Sequence, residues 1–231
     1  MSKERCLDAN KHEEVVYIAV DIEATGHNLA RHSLLSWAAC VVCPHKMSKD
    51  ELCSRGLVYY DEIAPLEGRF FDEGAMKVGC LGLLCLEKFN GQSDFDPESP
   101  QFDSNKVLAV MSKECSLPEQ ATSRFISWLE GIKASFKASQ IVLVSDTSLF
   151  DLPWIKYYFD HFASEQQSAI IGHRGCNIMS HWAGLLRRRR TSKESTFVKD
   201  DRAVAHCSKD DAIYLAEIAR VALYELCLEV K

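Results

Sequence analysis

The chain lacks several things that would settle its class at once. Its longest apolar run, residues 34–43, is half the length of the roughly 20 residues that cross a bilayer, so no membrane span is expected. It has no basic excess: the formal charge is −6, which argues against a general nucleic-acid coat protein that holds phosphates with Lys and Arg. No repeat of domain size is visible. Cys40 and Cys43 invite a zinc reading, but no second pair with matching spacing follows, and an odd separation on a strand sends the two sulfurs to opposite faces. The first 14 residues are charged throughout and do not read as a leader.

What is present points to one well-built core. The 231 residues are 47% hydrophobic, enough for a single domain from residue 15 onward behind an N-terminal tail at 1–14. Ten cysteines in a chain too large to need staples, irregularly spaced, read as reduced thiols, and a soluble intracellular protein of the cytoplasm or nucleus is expected. Charge is polarised along the chain. Residues 187–202 hold five Arg and two Lys against three acids, including four consecutive arginines, whereas residues 87–119 hold seven acids against three lysines. The arginine run suits either a solvated helix end or a phosphate-steering or localisation role.

Residues 15–20 form a β-branched apolar run that suits a central strand buried on both faces and leading into Asp21. After the turn signal at Thr25, Gly26, His27 and Asn28, residues 34–42 and 56–63 read as two further strands, antiparallel neighbours of the first in a meander. Residues 74–86 suit a short helix, and the Asp, Ser, Pro and Asn-rich stretch 90–105 an exposed loop. Ser116 with Glu119 three residues on, and Pro118 between, predicts a capping box, followed by Phe125, Leu129, Ile132 and Phe136 at helical spacing. A strand at 141–145, a helix at 153–162 and a last helix at about 208–229 complete the pattern. Strands first, then alternating helices and strand, indicate an α/β architecture with a mixed sheet. Cys80 and Cys85 are expected as small core residues, Trp128 and Trp154 as core aromatics, and His173 and His181 as structural histidines near a helix start.

The chemistry is carried by acids. Asp21 and Glu23 lie two apart, so strand geometry puts both carboxylates on one face, where they repel unless a cation neutralises them. Hard divalent ions do this well and keep positions for water and phosphate. Asp151 follows the strand at 141–145, at the kind of strand end where α/β sheets collect their sites, and could equally cap the helix expected from Pro153. In the last helix Asp211 shares a stripe with Leu215, Ile218 and Ala222, so it points toward the core more than Asp210 does, and a core-facing carboxylate requires a partner.

Together, Val20-Asp-Ile-Glu-Ala-Thr-Gly26, then Phe150-Asp151 after a strand, then His206-Cys-Ser-Lys-Asp-Asp211 resemble the three ordered motifs of the DEDDh family of 3′-to-5′ exonucleases, which includes RNase T, oligoribonuclease, three-prime repair exonucleases and proofreading subunits. The resemblance implies a ribonuclease-H-like mixed sheet with helices on both faces. It implies that Asp21, Glu23, Asp151 and Asp211 bind two Mg²⁺ or Mn²⁺ ions, that His206 is the general base, and that Ala24, Thr25, Gly26 and His27 lie against the terminal nucleotide. The expected partner is the 3′ end of single-stranded DNA or RNA, with a homodimer as the oligomer to consider. This sequence departs from the family before the second acid, where Ser145-Asp146 replaces the common His-Asn, and residues 66–115 are longer than in compact members. Two other readings use the same residues: a catalytically silent relative that binds nucleic acid or protein, and a phosphohydrolase of small nucleotides.

Overall fold

A computed structural model describes residues 15–188, 190–193, 196–203 and 205–226; the expected tail at 1–14 and the end of the last helix lie outside these. Among the described residues, five strands make one mixed sheet: β1 (Val15–Ala24), β2 (Leu34–Val41), β3 (Val58–Glu62), β4 (Gln140–Ser145) and β5 (Gly175–Asn177), in the order β3-β2-β1-β4-β5. β1 runs antiparallel to β2 and parallel to β4; β2 pairs antiparallel with β3, and β4 parallel with β5. The meander is therefore present, although β3 borders β2 and not the first strand. β1 extends through Ala24, so Asp21 and Glu23 lie in the last four residues of the strand, at its end as the spacing predicts.

Helices cover both faces, and β2 shows which goes where. Trp37 is fully buried against Phe125, Tyr158 and Phe159, with ring centroids 5.0, 5.8 and 6.3 Å away. These rings belong to α4 (Pro118–Ser135) and α5 (Asp151–Phe162). Ser36, one residue earlier and so on the opposite face, shares a 2.9 Å hydroxyl hydrogen bond with Ser208 of α8 (Ser208–Arg220). Ala212, Ala216 and Ala219 let α8 lie close to the sheet, and α7 (Ile178–Leu185) braces it, the Trp182 indole donating to the Ile218 carbonyl at 3.2 Å. The connections carry α1 (Lys49–Ser54), α2 (Glu73–Gly79), α3 (Ser104–Glu114) and α6 (Glu165–Ser168).

Several local expectations are corrected. Ser116 is not a helix cap: α4 starts at Pro118 behind Leu117, and the Ser116 hydroxyl instead donates to Asp61 at 2.9 Å and accepts from Arg124. The backbone explains this, because Ser116 bridges Ile63 beyond β3 and its amide donates to the Glu62 carbonyl at 3.0 Å, holding it as an extension of the sheet. α5 begins at Asp151, two residues before the expected start, and α8 gives way to a π turn at Val221–Glu225. α1 was hidden between two strands, though Ser48 and Glu51 form a genuine capping box there. Residues 66–115 are not decoration: α2, a 3-10 turn (Leu84–Phe89) and α3 build a second small core of Leu35, Met76, Cys80, Leu83, Leu86, Val107 and Met111. Cys80 lies in that core, whereas Cys85 is only half-buried beside Glu62 and Cys115. Trp154 is buried, and Trp128 is half-buried with its indole on the Gly56 carbonyl at 2.9 Å. Among the described residues no helix is long and apolar enough to cross a membrane.

Because Trp37 fills the space between sheet and helices on one side, Trp37→Ala should cost about 3–5 kcal/mol of stability, read from the midpoint of denaturant unfolding. A loss under about 1 kcal/mol would show that this ring cluster does not organise the core.

Candidate active site

The sheet order decides where the acids meet. β1 has an antiparallel neighbour on one side and a parallel one on the other, so the carboxyl ends of β1 and β4 open together at a switch in strand direction. In the β1–β2 register Asp21 faces Ala38 and Glu23 faces Ser36, which puts both acids on the α8 side, while Ile22 faces Trp37 on the other. A register irregularity after Glu23 turns the chain away from the sheet.

From the opposite wall, α8 brings Asp211 in its first turn, 4% exposed and aimed into the cluster. Asp210 beside it turns away and pairs with Lys49, as the helical stripe predicts. Asp151 opens α5 and is 1% exposed. Its carboxylate accepts the Thr147 hydroxyl at 2.7 Å and the Ser145 hydroxyl, so it is held by the loop leaving β4 rather than spent on capping its own helix. Ligand atoms of Asp21, Asp146 and Asp151 lie within 4.8 Å of one another, and so do those of Glu23, His206 and Asp211. His206 sits at φ +60°, a left-handed conformation that non-glycine residues rarely hold, and so its ring is presented by an unusual backbone turn.

These residues line a cleft of about 450 Å³ together with Ala24, Gly26, His27 and Phe150. Thr25 is placed differently: it is 1% exposed, and its hydroxyl donates to the Phe70 carbonyl at 3.0 Å and accepts the Ser33 amide at 2.9 Å, closing the turn under the cleft. The turn can be this tight because Gly26 has no side chain; a Cβ there would come within 2.5 Å of the His32 ring. Gly82 does the same for the other wall, where a Cβ would meet that of Cys207 at 2.4 Å, so residues 66–115 buttress the turn that carries His206. A larger cavity, about 940 Å³, lies across Arg202 from the cleft, behind α8, where Asp210 and Glu217 are paired with Lys49 and Arg220.

Sequence reasoning passed over three members of the site. Asp146, noted only as a departure in the motif, joins Asp21 and Asp151. Lys193 and Arg202 come from the basic stretch: Lys193 pairs with Asp146 at 2.7 Å, and Arg202 bonds Asp211 and, at 2.5 Å, Asp200. Part of the positive charge read as surface or steering thus faces the acids. No periodicity announces this, because residues 186–207 form an irregular connection among the described positions.

The electrostatics follow from crowding. Burial, then the charges of Asp151, Glu23, Asp211 and Asp146, push the Asp21 carboxyl well above the ordinary carboxylate range. Glu23 is raised too, by burial and then by Asp211 and Asp151, with Lys193 opposing. Asp151 is pushed up to about 6, burial outweighing the hydroxyl hydrogen bonds that lower it. Burial is also the largest influence on Lys193 and disfavours its charge, yet Asp146, Asp21 and Asp211 hold it above the usual lysine value. Hydrogen bonds to Asp200 and then Asp211 raise Arg202. Buried and half-buried carboxylates from three elements, with open cleft beside them, are the kind of donor set that hard divalent cations take, and Asp21, Glu23, Asp151 and Asp211 fit such ions.

No family model matches the chain, and no curated protein matches it in sequence. Solved structures do. E. coli Exonuclease I in complex with a dT13 oligonucleotide superposes with a TM-score of 0.60 at 11% identity, over 94% of this chain and 43% of that one. The zinc-bound form of the E. coli Exonuclease I complex with single-stranded DNA gives a TM-score of 0.55 at 10% identity, covering 94% and 42%. A further structure of Exonuclease I, concerned with processivity, gives 0.58 at 10%, covering 90% and 40%. The chain shares its fold, a mixed sheet with helices on both faces, with the matched part of Exonuclease I. The chain spans about two fifths of the length of the Exonuclease I chains it matches.

A carboxyl raised by folding lowers stability once it ionises, so the destabilisation is complete above its folded-state pKa and fades toward its unfolded value near 4. Asp21→Asn, which removes one like charge, should therefore raise the melting temperature of metal-free protein near pH 8 and change it little at about pH 4. A variant less stable than wild type near pH 8 without metal would contradict this crowding.

Proposed function

We propose that the chain is a metal-dependent 3′-to-5′ exonuclease that shortens single-stranded DNA or RNA from its 3′ end and releases nucleoside 5′-monophosphates. The observation that carries the reading is the convergence of Asp21, Glu23, Asp151 and Asp211 on one cleft with His206 at its edge. In this reading the domain begins at residue 15, and Asp21, Glu23, Asp151 and Asp211 hold two Mg²⁺ or Mn²⁺ ions. Such a pair, when bound, activates water and stabilises the leaving 3′ oxygen.

The protein's own groups supply the rest. His206 accepts the proton of the attacking water, a task suited to an exposed imidazole at the cleft edge with Glu23 and Asp211 beside it. Asp151 is kept oriented by the Ser145 and Thr147 hydroxyls. Ala24, Gly26 and His27 offer a wall for the terminal nucleotide, and Thr25 supports that wall from beneath. A cleft of about 450 Å³ suits one terminal nucleotide better than an intact duplex end. The oligonucleotide complexes of the similar Exonuclease I structures support a single-stranded substrate.

A second reading has its own observation. Arg202 on Asp211 and Lys193 on Asp146 neutralise part of the cluster with side chains, as a silent module that binds nucleic acid without metal would do. The two readings part on metal: the enzyme requires Mg²⁺ or Mn²⁺, and the silent module is indifferent to chelator.

Matched DNA and RNA oligonucleotides with free or blocked 3′ ends should be shortened stepwise only when the end is free and Mg²⁺ or Mn²⁺ is present. Cleavage that ignores the block would replace this reading with endonuclease chemistry. His206→Ala should lose roughly 10²- to 10⁴-fold in turnover while keeping substrate affinity. Asp21→Ala should lose more, together with metal binding; wild-type turnover in either variant would remove that residue from the mechanism.

A further inference from the structure

Outside the cleft, one group of side chains brings two thiols and a carboxylate together at the border of the second small core. Glu62 ends β3, Cys85 lies in the 3-10 turn and Cys115 directly follows α3, three positions separated in sequence whose ligand atoms all lie within 4.8 Å of one another. Glu62 by itself has a structural account. One of its oxygens accepts the Tyr60 hydroxyl at 2.5 Å and the Leu84 amide, and the other accepts the Cys85 amide at 3.0 Å, so it anchors the 3-10 turn to the sheet. That account does not use the sulfurs, which sit half-buried against the second small core. The Cys115 thiol points at the same Glu62 oxygen, 3.8 Å away, and the Cys85 thiol is hydrogen-bonded to Cys115.

We propose that Glu62, Cys85 and Cys115 form a Zn²⁺ site that clasps the 66–115 segment to the edge strand of the sheet. Two thiolates and a carboxylate are a borderline-soft donor set that Zn²⁺ accepts, with the fourth tetrahedral position open to water. Mg²⁺ and Mn²⁺, which prefer oxygen, have no comparable claim on it, so its metal preference differs from that of the acidic cleft. Tetrahedral zinc places its ligand atoms about 3.5–3.8 Å apart, so these three need close by only about 1 Å. Binding replaces two S–H bonds by two Zn–S bonds and releases two protons to solvent, with no change of oxidation state.

The site has mechanical consequences. Cys85 is three residues beyond Gly82, which packs against Cys207 beside His206. Fixing Cys85 to β3 therefore also fixes the segment that supports the turn bearing His206.

Co²⁺ titration of the reduced full-length chain tests this, because thiolate-to-cobalt charge-transfer absorption arises only from sulfur ligands and is blind to the carboxylate cleft. One equivalent of such absorption is expected, displaced by Zn²⁺ and not by Mg²⁺, lost in Cys85→Ser and in Cys115→Ser, and retained in Cys43→Ser. Circular dichroism of each variant checks folding, and the wild-type titration stands even if one serine variant fails to fold. Absence of the band in reduced wild type, or its persistence in a folded Cys85→Ser, would overturn the site. So would a Cys85–Cys115 disulfide whose reduction leaves a protein that takes up no Co²⁺.

Discussion

Mutual repulsion among buried and half-buried carboxylates is the constraint on which the rest of this structure turns. Asp21, Glu23, Asp146, Asp151 and Asp211 are drawn into one small space by elements whose positions are set by hydrophobic packing, and that packing is strong enough to hold them there. In water the acids would separate. Held together and partly stripped of solvent, they raise one another's affinity for protons, and any positive charge that enters the cleft is correspondingly favoured. Lys193 and Arg202 meet part of that demand from within the chain. A site whose own cations cover only some of its acids retains an appetite for others.

The architecture delivers the acids by simple geometry. Alternation along β1 assigns Asp21 and Glu23 to one face and Ile22 to the other, so a single strand feeds both the site and the core. Ile22, Trp37 and the rings of α4 and α5 make one side of the sheet a packed interior, which frees the α8 side to carry polar groups at its upper end. The switch in strand direction at β1 leaves a gap between the chain leaving β1 and the chain leaving β4, and the first turns of α5 and α8 fill that gap with Asp151 and Asp211. Acids in the first turn of a helix are also favoured by its dipole, which offsets a little of the crowding.

The segment at 66–115 deserves to be seen as part of this machinery. Its small second core is built on Leu35 of β2, and from there it reaches the back of the cleft through Gly82 and the edge strand through Glu62, Cys85 and Cys115. α3 escaped sequence reading because its apolar residues, Val107 to Met111, run consecutively between polar ends, so no stripe at helical spacing stands out. Its N-terminal signal, Asp103, lay within a stretch whose Asp, Ser and Pro content also reads as loop.

By itself the sequence determined the mixed sheet, the strand that carries Asp21 and Glu23, and the choice of Asp211 over Asp210, because period-two and period-3.6 patterns are local consequences of which face a residue must bury. Only the tertiary structure decided what lies against those acids. Asp146, Lys193 and Arg202 are set in irregular chain, where no periodicity ties a residue's type to its direction, and Ser116 was diverted from a cap to the sheet by a backbone bridge to Ile63. Cys85 and Cys115 meet for the same reason: their proximity is a property of three separate elements closing on one another, and pairings over such distances leave no mark in the order of the residues.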